Sequence, residues 1–272
     1  MVVPFFIGPT QTTPLPATPP RPIAGRRQGP LWDGAGIRVL PRAALTSGDP
    51  PMAFTFFFRD EQTLEALIDQ AMPALQGQAF IRIWDAGCAH GPEPYTLAIL
   101  LRERMSDFIF RNVHIHASDV DPQFGPRIAE GVFGEREVQR IPEAIRARYF
   151  HPASEPGYVE VVEELRRKVV FTHHDLLSLK PLREDFSLIV CKNVLLHFSE
   201  AQRLDVLRMF HRALRPGGLL AAEHTQKMPE QLRSHFHPVS PFAQVYRCLD
   251  GPHTHRGACG PHALHMQPLR GR

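Results

Sequence analysis

The stretch Trp84-Asp85-Ala86-Gly87-Cys88-Ala89-His90-Gly91-Pro92-Glu93-Pro94-Tyr95-Thr96 restricts the fold of this chain more than any other. A short apolar run, Phe80 to Trp84, leads into it, and a helical pattern (Leu97, Ala98, Leu100, Leu101) leads out. Strand, small-residue turn and helix, in that order, are how an α/β sheet presents a ligand at the carboxyl end of a strand. The turn narrows the ligand. A dinucleotide fingerprint spaces its glycines G-x-G-x-x-G so that pyrophosphate can rest on the helix N-terminus. Counted from Gly87, this chain gives Gly87-x-Ala89-x-x-Pro92, and the second and third positions fail. Read as acidic-x-Gly-x-small-x-Gly, it fits Asp85, Gly87, Ala89 and Gly91. That spacing lets backbone close around a nucleoside without cradling a phosphate, which suits adenosyl ligands such as S-adenosylmethionine. Taken alone, the turn equally suits an ordinary tight βα connection.

The surrounding chain decides between the two. A second strand, Val113 to Ala117, ends in Ser118-Asp119-Val120-Asp121. An acidic residue at the end of the second strand can accept hydrogen bonds from both ribose hydroxyls. Asp119 is assigned that position, and Asp121 the N-cap of a helix starting near Pro122. Phe186 to Val190 is a continuous apolar run, as in a central strand buried on both faces. It opens into Cys191-Lys192-Asn193-Val194-Leu195-Leu196-His197-Phe198. An amphipathic helix from about Ser199 to Leu214 follows, stopped by Arg215-Pro216-Gly217-Gly218. A strand from Leu219 to Ala222 then ends in Glu223.

Thr55-Phe56-Phe57-Phe58-Arg59-Asp60, the Trp84 to Thr96 turn, Ala117-Ser118-Asp119-Val120-Asp121, Cys191-Lys192-Asn193-Val194-Leu195 and Leu214-Arg215-Pro216-Gly217-Gly218 occur in one order. In that order they resemble the CheR-type chemotaxis receptor methyltransferases, from about Thr55 to Leu249. The resemblance implies an α/β, class I S-adenosylmethionine-dependent methyltransferase fold (Rossmann-like) with a small antiparallel β insertion. It implies methyl transfer from S-adenosylmethionine to glutamate side chains of a chemoreceptor. It also implies site roles. Thr55 and Arg59 approach the methionine end of the cofactor, Arg59 being suited to a ligand or acceptor carboxylate. Glu93 accepts from the cofactor amino group, Asp119 holds the ribose, and Gly87 lies in the turn. Asp175-Leu176 stands where the family usually has Asn-Leu beside the adenine, and Asn193-Val194 matches the pair lining the other side of the cofactor. Arg59 and His197 stand at the methyl-transfer centre.

A glutamate acceptor is already ionised at neutral pH, so the chemistry needs no general base, enzyme nucleophile or metal. Positioning carries the rate, and oriented reactions show it to be worth ~7–11 kcal/mol. Several residues depart from the family pattern. His197 replaces the usual tyrosine, His90 and Pro92 replace smaller or acidic residues, and Ala53 stands where some members have asparagine. Glu223-His224-Thr225-Gln226 replaces the usual Gly-x-Ser-Glu. These departures leave open a cofactor-sensing module without methyl transfer, or a methyltransferase with a different acceptor.

Residues 1–51 hold 11 of the chain's 27 prolines, and segments such as Pro19-Pro20-Arg21-Pro22 favour extended chain. A flexible arm is expected there, in place of the family's helical N-terminal domain, with Met52 a candidate translation start. The methyltransferase domain is expected over 52–250, its β insertion at about 131–170, and a flexible tail over 251–272. Gly131 to Val170 carries the alternating Tyr158-Val159-Glu160-Val161-Val162 and arginines that suit either an acidic receptor helix or a solvated face. No apolar run reaches the ~18 residues of a membrane span. A cytoplasmic setting with free thiols is expected, since Cys88, Cys191, Cys248 and Cys259 lack any CxxC spacing. His253, His255, Cys259, His262 and His265 sit in a Gly/Pro-rich stretch with no scaffold for a metal. A net charge of +3 is too small to argue for nucleic acid.

Overall fold

A computed structural model describes residues 55–223 and 227–249. The expected Pro-rich arm, Met52, Ala53, His224 to Gln226 and the histidine-bearing tail lie outside the described residues.

In chain order the elements are α1 (Glu61–Leu75), β1 (Ile81–Ala86), α2 (Pro92–Arg104), α3 (Asp107–Phe110), β2 (Val113–Asp119), α4 (Phe124–Glu130), β3 (Val132–Gly134), α5 (Glu135–Val138) and α6 (Glu143–Tyr149). There follow β4 (Phe150–Pro152), β5 (Tyr158–Val161), α7 (Glu163–Arg166), β6 (Val169–His173), β7 (Phe186–Cys191), α8 (Glu200–Ala213), β8 (Leu214–Ala222), β9 (Phe236–Pro238) and β10 (Val245–Cys248). Seven strands form the main sheet in the order β6-β2-β1-β7-β8-β10-β9. The first five are parallel, and β10 pairs antiparallel with both neighbours. Strand order reverses between β1 and β7, which opens a crevice at their carboxyl ends.

The core follows from the period-2 alternation of strands buried on both faces. On one face Ile81, Ile83, Val113, Ile115, Leu188, Val190 and Leu219 pack against Leu64, Leu67 and Ile68 of α1 and Leu97 and Leu101 of α2. On the other, Trp84, Phe186 and Ile189 meet Val206, Met209 and Phe210 of α8. β7 is buried at every position, as a continuous apolar run requires. The insertion is a three-stranded antiparallel sheet, β3-β5-β4. Phe57 joins it to the core by edge-on contacts with Phe133 and Phe150.

Three boundaries differ from the sequence reading. Val169 and Val170 belong to the main sheet, because β6 pairs with β2 from Ile115 to Asp119. β8 starts at Leu214, directly after α8, with a register shift opposite Phe186 to Leu188. The Pro216-Gly217-Gly218 kink stops the helix but is absorbed as an irregularity inside the strand. Helix α4 starts at Phe124, after a turn in which the Asp121 carboxylate accepts from Gln123 N at 2.9 Å. Asp121 therefore makes a local turn two residues before the N-cap, Gln123.

Candidate active site

The turn after β1 is built by backbone in the left-handed region. Gly87, Ala89 and Gly91 have φ of 94°, 49° and 114°, so the alternate small residues of the sequence pattern are the ones that turn the chain. At Gly87 a β-carbon would lie 2.2 Å from Val194 Cγ2, which leaves no room for any other residue. The turn is fastened to the end of β2. Gly87 N and Cys88 N donate to Ser118 O at 2.8 and 3.0 Å. Ala89 N donates to Asp119 Oδ2 at 3.0 Å, and Asp121 N to Asp119 Oδ1 at 3.1 Å. Each Asp119 oxygen keeps a second lone pair for a ligand hydroxyl.

A cleft of about 430 Å³ opens beside this turn, lined by Gly87, Asp119, Val120, His174, Asp175, Leu176, Leu177, Val194, His197 and Phe198. It is a few polar groups on an apolar wall, the make-up of a small-molecule site. Six of the sequence-predicted residues meet here: Gly87, Asp119, Asp175, Leu176, Val194 and His197. Asp175 caps a short 3₁₀ turn by accepting from Leu177 N at 2.8 Å. Asn193 holds φ at 59°, next to Val194. Thr55, Arg59, Glu93 and Asn193 do not line the cleft.

Arg59 and Glu93 are instead joined to each other by a residue the sequence reading passed over. Lys192, directly after β7 and buried, donates from Nζ to Arg59 O at 2.9 Å and to Glu93 Oε2 at 3.1 Å. The Asp60 carboxylate lies 3.6 Å from the same ammonium. A charged residue at the end of a mostly apolar central strand was the available signal, since such a group is buried only when paired. The Thr55–Asp60 segment is held a second time by Phe58 N, which donates to Thr96 Oγ1 at 3.0 Å. Thr96 in turn donates to Pro92 O at 2.7 Å.

Asp85, the acidic residue of the turn motif, is fully buried, and among the described residues no N–H or hydroxyl donates to its carboxyl, which lies beside that of Glu93. Burial pushes its pKa well up, and the negative charge of Glu93 adds to the shift. The neutral acid is the form this site favours. Burial also raises the thiols of Cys88 and Cys191, which removes them as nucleophiles. Glu223, at the end of β8, is buried and raised by desolvation.

Comparison with known proteins decides the family. The model described as "CheR methyltransferase, SAM binding domain" matches residues 53–243. The chain belongs to the CheR methyltransferase family. Its architecture is that of the class I S-adenosylmethionine-dependent methyltransferases, and the matched region is the family's S-adenosylmethionine-binding domain. The chain is 29% identical over 188 residues to chemotaxis protein methyltransferase 2 of Vibrio cholerae, covering 67% of this chain and 65% of that one. It is 29% identical over 180 residues to the chemotaxis protein methyltransferase of Borreliella burgdorferi, covering 63% of each chain. With chemotaxis protein methyltransferase 2 of Pseudomonas aeruginosa it shares 33% over 175 residues, 63% of this chain and 62% of that one. The chain thus spans a little under two thirds of the length of these curated relatives. Among the described residues no helix is long and apolar enough to cross a membrane.

Proposed function

We propose that this CheR-family chain transfers the methyl group of S-adenosylmethionine to glutamate side chains of a chemoreceptor protein, giving glutamyl methyl esters. A cytoplasmic setting belongs to the same reading. The observation that carries it is the junction of Gly87 and Asp119 at one wall of an apolar cleft, in a chain whose family is S-adenosylmethionine-binding. The donor set suits a nucleoside: a carboxylate for the ribose, apolar walls at Leu176 and Val194 for the base, and among the described residues no lysine or arginine on the cleft wall for a phosphate.

In this reading Asp119 accepts from the ribose hydroxyls, while Asp175-Leu176 and Asn193-Val194 flank the adenine. Glu93 accepts from the cofactor's amino group, and Thr55 and Arg59 stand at its carboxylate end. When bound, the cofactor supplies an electrophilic methyl on a sulfonium. The protein's share is placement. Arg59 orients the incoming carboxylate by a charge-assisted hydrogen bond. The apolar walls, including Phe198 and Leu176, exclude water, which favours a reaction in which opposite charges cancel. His197, on the cleft wall, gives a polar contact where the family most often has tyrosine.

The test is incubation of the full chain with methyl-labelled S-adenosylmethionine and fragments of methyl-accepting chemoreceptors. Label that enters the fragment and is released by mild base is the expected result. Cofactor binding without transfer to any fragment would replace this reading with a sensing module.

A further inference from the structure

We infer that Lys192 is the positioning residue of this site, fixing the main chain that carries Arg59 and the carboxylate of Glu93 as one bonded unit. The inference rests on the cofactor and acceptor roles proposed above, and adds a residue to which they assign nothing.

Three observations support it. First, Lys192 stands at the carboxyl end of the central strand with a side chain only 1% exposed, so its ammonium cannot be a solvated bystander. An ammonium has three donors. Two are taken by Arg59 O at 2.9 Å and Glu93 Oε2 at 3.1 Å, and the Asp60 carboxylate faces it at 3.6 Å.

Second, the carbonyl it grips lies between two left-handed residues, Phe58 at φ 59° and Asp60 at φ 50°. Side-chain-bearing residues rarely adopt that conformation unless the surroundings impose it. Lys192, directly after β7, and Thr96 from α2 each supply an external bond that helps impose it. The shape of the segment presenting Arg59 is therefore written partly by Lys192.

Third, Glu93 is itself buried, with Asp85 buried beside it. Lys192 is the cation paired with Glu93 there, at 3.1 Å. Its bond occupies one carboxylate oxygen, and a carboxylate has lone pairs for a second cationic donor. A neutral side chain at 192 would leave the Glu93 carboxylate buried without its paired cation and free to shift from its present place.

The same contacts would suit an ion pair that merely holds the fold, so the test separates positioning from folding. Lys192→Met, Lys192→Arg, Glu93→Gln and the Lys192→Met/Glu93→Gln double variant are made in the full chain. S-adenosylhomocysteine affinity is measured by calorimetry, melting by heat, and kcat and KM with a receptor fragment. Lys192→Met is expected to weaken S-adenosylhomocysteine about 10-fold or more and to raise KM for the fragment. Lys192→Arg should recover most of both losses. The double variant should bind no more weakly than Glu93→Gln alone, because the two residues act as one unit. Unchanged affinity in a folded Lys192→Met protein, additive losses in the cycle, or an arginine variant as weak as methionine would each overturn the inference. If Lys192→Met does not fold, Lys192→Gln takes its place in the cycle under the same criteria. Failure of the unsubstituted chain to bind S-adenosylhomocysteine is a separate outcome that removes the proposed function itself.

Discussion

Asp119 and Asp121 are separated by one residue and hold different parts of the chain. Asp119 spans the crevice, with one oxygen on the Ala89 amide of the turn and the other on the Asp121 amide. The Asp121 carboxylate accepts from Gln123 N two residues on. A ribose ligand would draw on the first carboxylate alone. Asp119→Ala is expected to cost ~10–100-fold in S-adenosylhomocysteine affinity, the range of one charged hydrogen bond lost from a half-buried site. Asp121→Ala should stay within about threefold of the parent, since it loses only a local turn. Calorimetric titration of both variants checks the pair, and equal losses would move the ribose role away from Asp119.

At the scale of elements, the N-terminus of α8 has the most complete local specification. Ser199 Oγ accepts from Gln202 N at 3.3 Å, and Gln202 Oε1 accepts from Ser199 N at 3.0 Å, a reciprocal box that satisfies two amides the helix cannot. Ser199→Ala is expected to cost ~1 kcal/mol, lowering the melting temperature by roughly 2–4 °C in a domain of this size. Cofactor affinity should hold, because the helix packs behind the sheet through Val206, Met209 and Phe210. A thermal melt beside a titration reads both. The box was legible as Ser-x-x-Gln before an apolar run, just as β7 was legible as an unbroken apolar run. Elements whose cause lies across the sheet were not. Phe236-His237-Pro238 has no period and contains a proline, yet it forms β9 because β10 offers it an antiparallel edge. Leu214 reads as a helix end, and only its pairing with Phe186 makes it strand. Gly87 and Asp119 were legible because they follow apolar strand runs, whereas Asp175, Leu176, Val194 and His197 were placed by the resemblance to the family's motif order. Lys192 was not, because its meaning is set by Arg59 and Glu93, both distant in sequence.

Across the whole molecule, buried titratable groups set two opposing slopes of stability with pH. Burial lowers His90 to about 4, with Arg127 adding to the shift and Glu137 opposing it. Burial also lowers His116 to about 4, with Arg183, His114 and Arg82 adding to it. The unfolded chain takes up protons at these sites from about pH 6.5 downward, and the folded chain refuses them until about pH 4. Stability therefore falls as pH drops through that window. His90 contributes a slope of at most ~1.4 kcal/mol per pH unit, and the partly solvated His116 less. Asp85 and Glu223 act the other way, since their folded pKa values are raised. Their contribution is complete below the unfolded carboxylate value and is lost as pH rises from there through the folded value. Both effects operate between about pH 4 and 6.5. Above it the histidine effect is spent. His90→Gln should flatten the acid side of a melting-temperature profile measured from pH 4 to 9. Asp85→Asn should flatten the alkaline side, its advantage over the parent growing from about pH 4 upward. An Asp85→Asn protein whose difference from the parent is the same at every pH would mean that Asp85 titrates alike in folded and unfolded chains. The neutral buried acid beside Glu93 would then have to be abandoned.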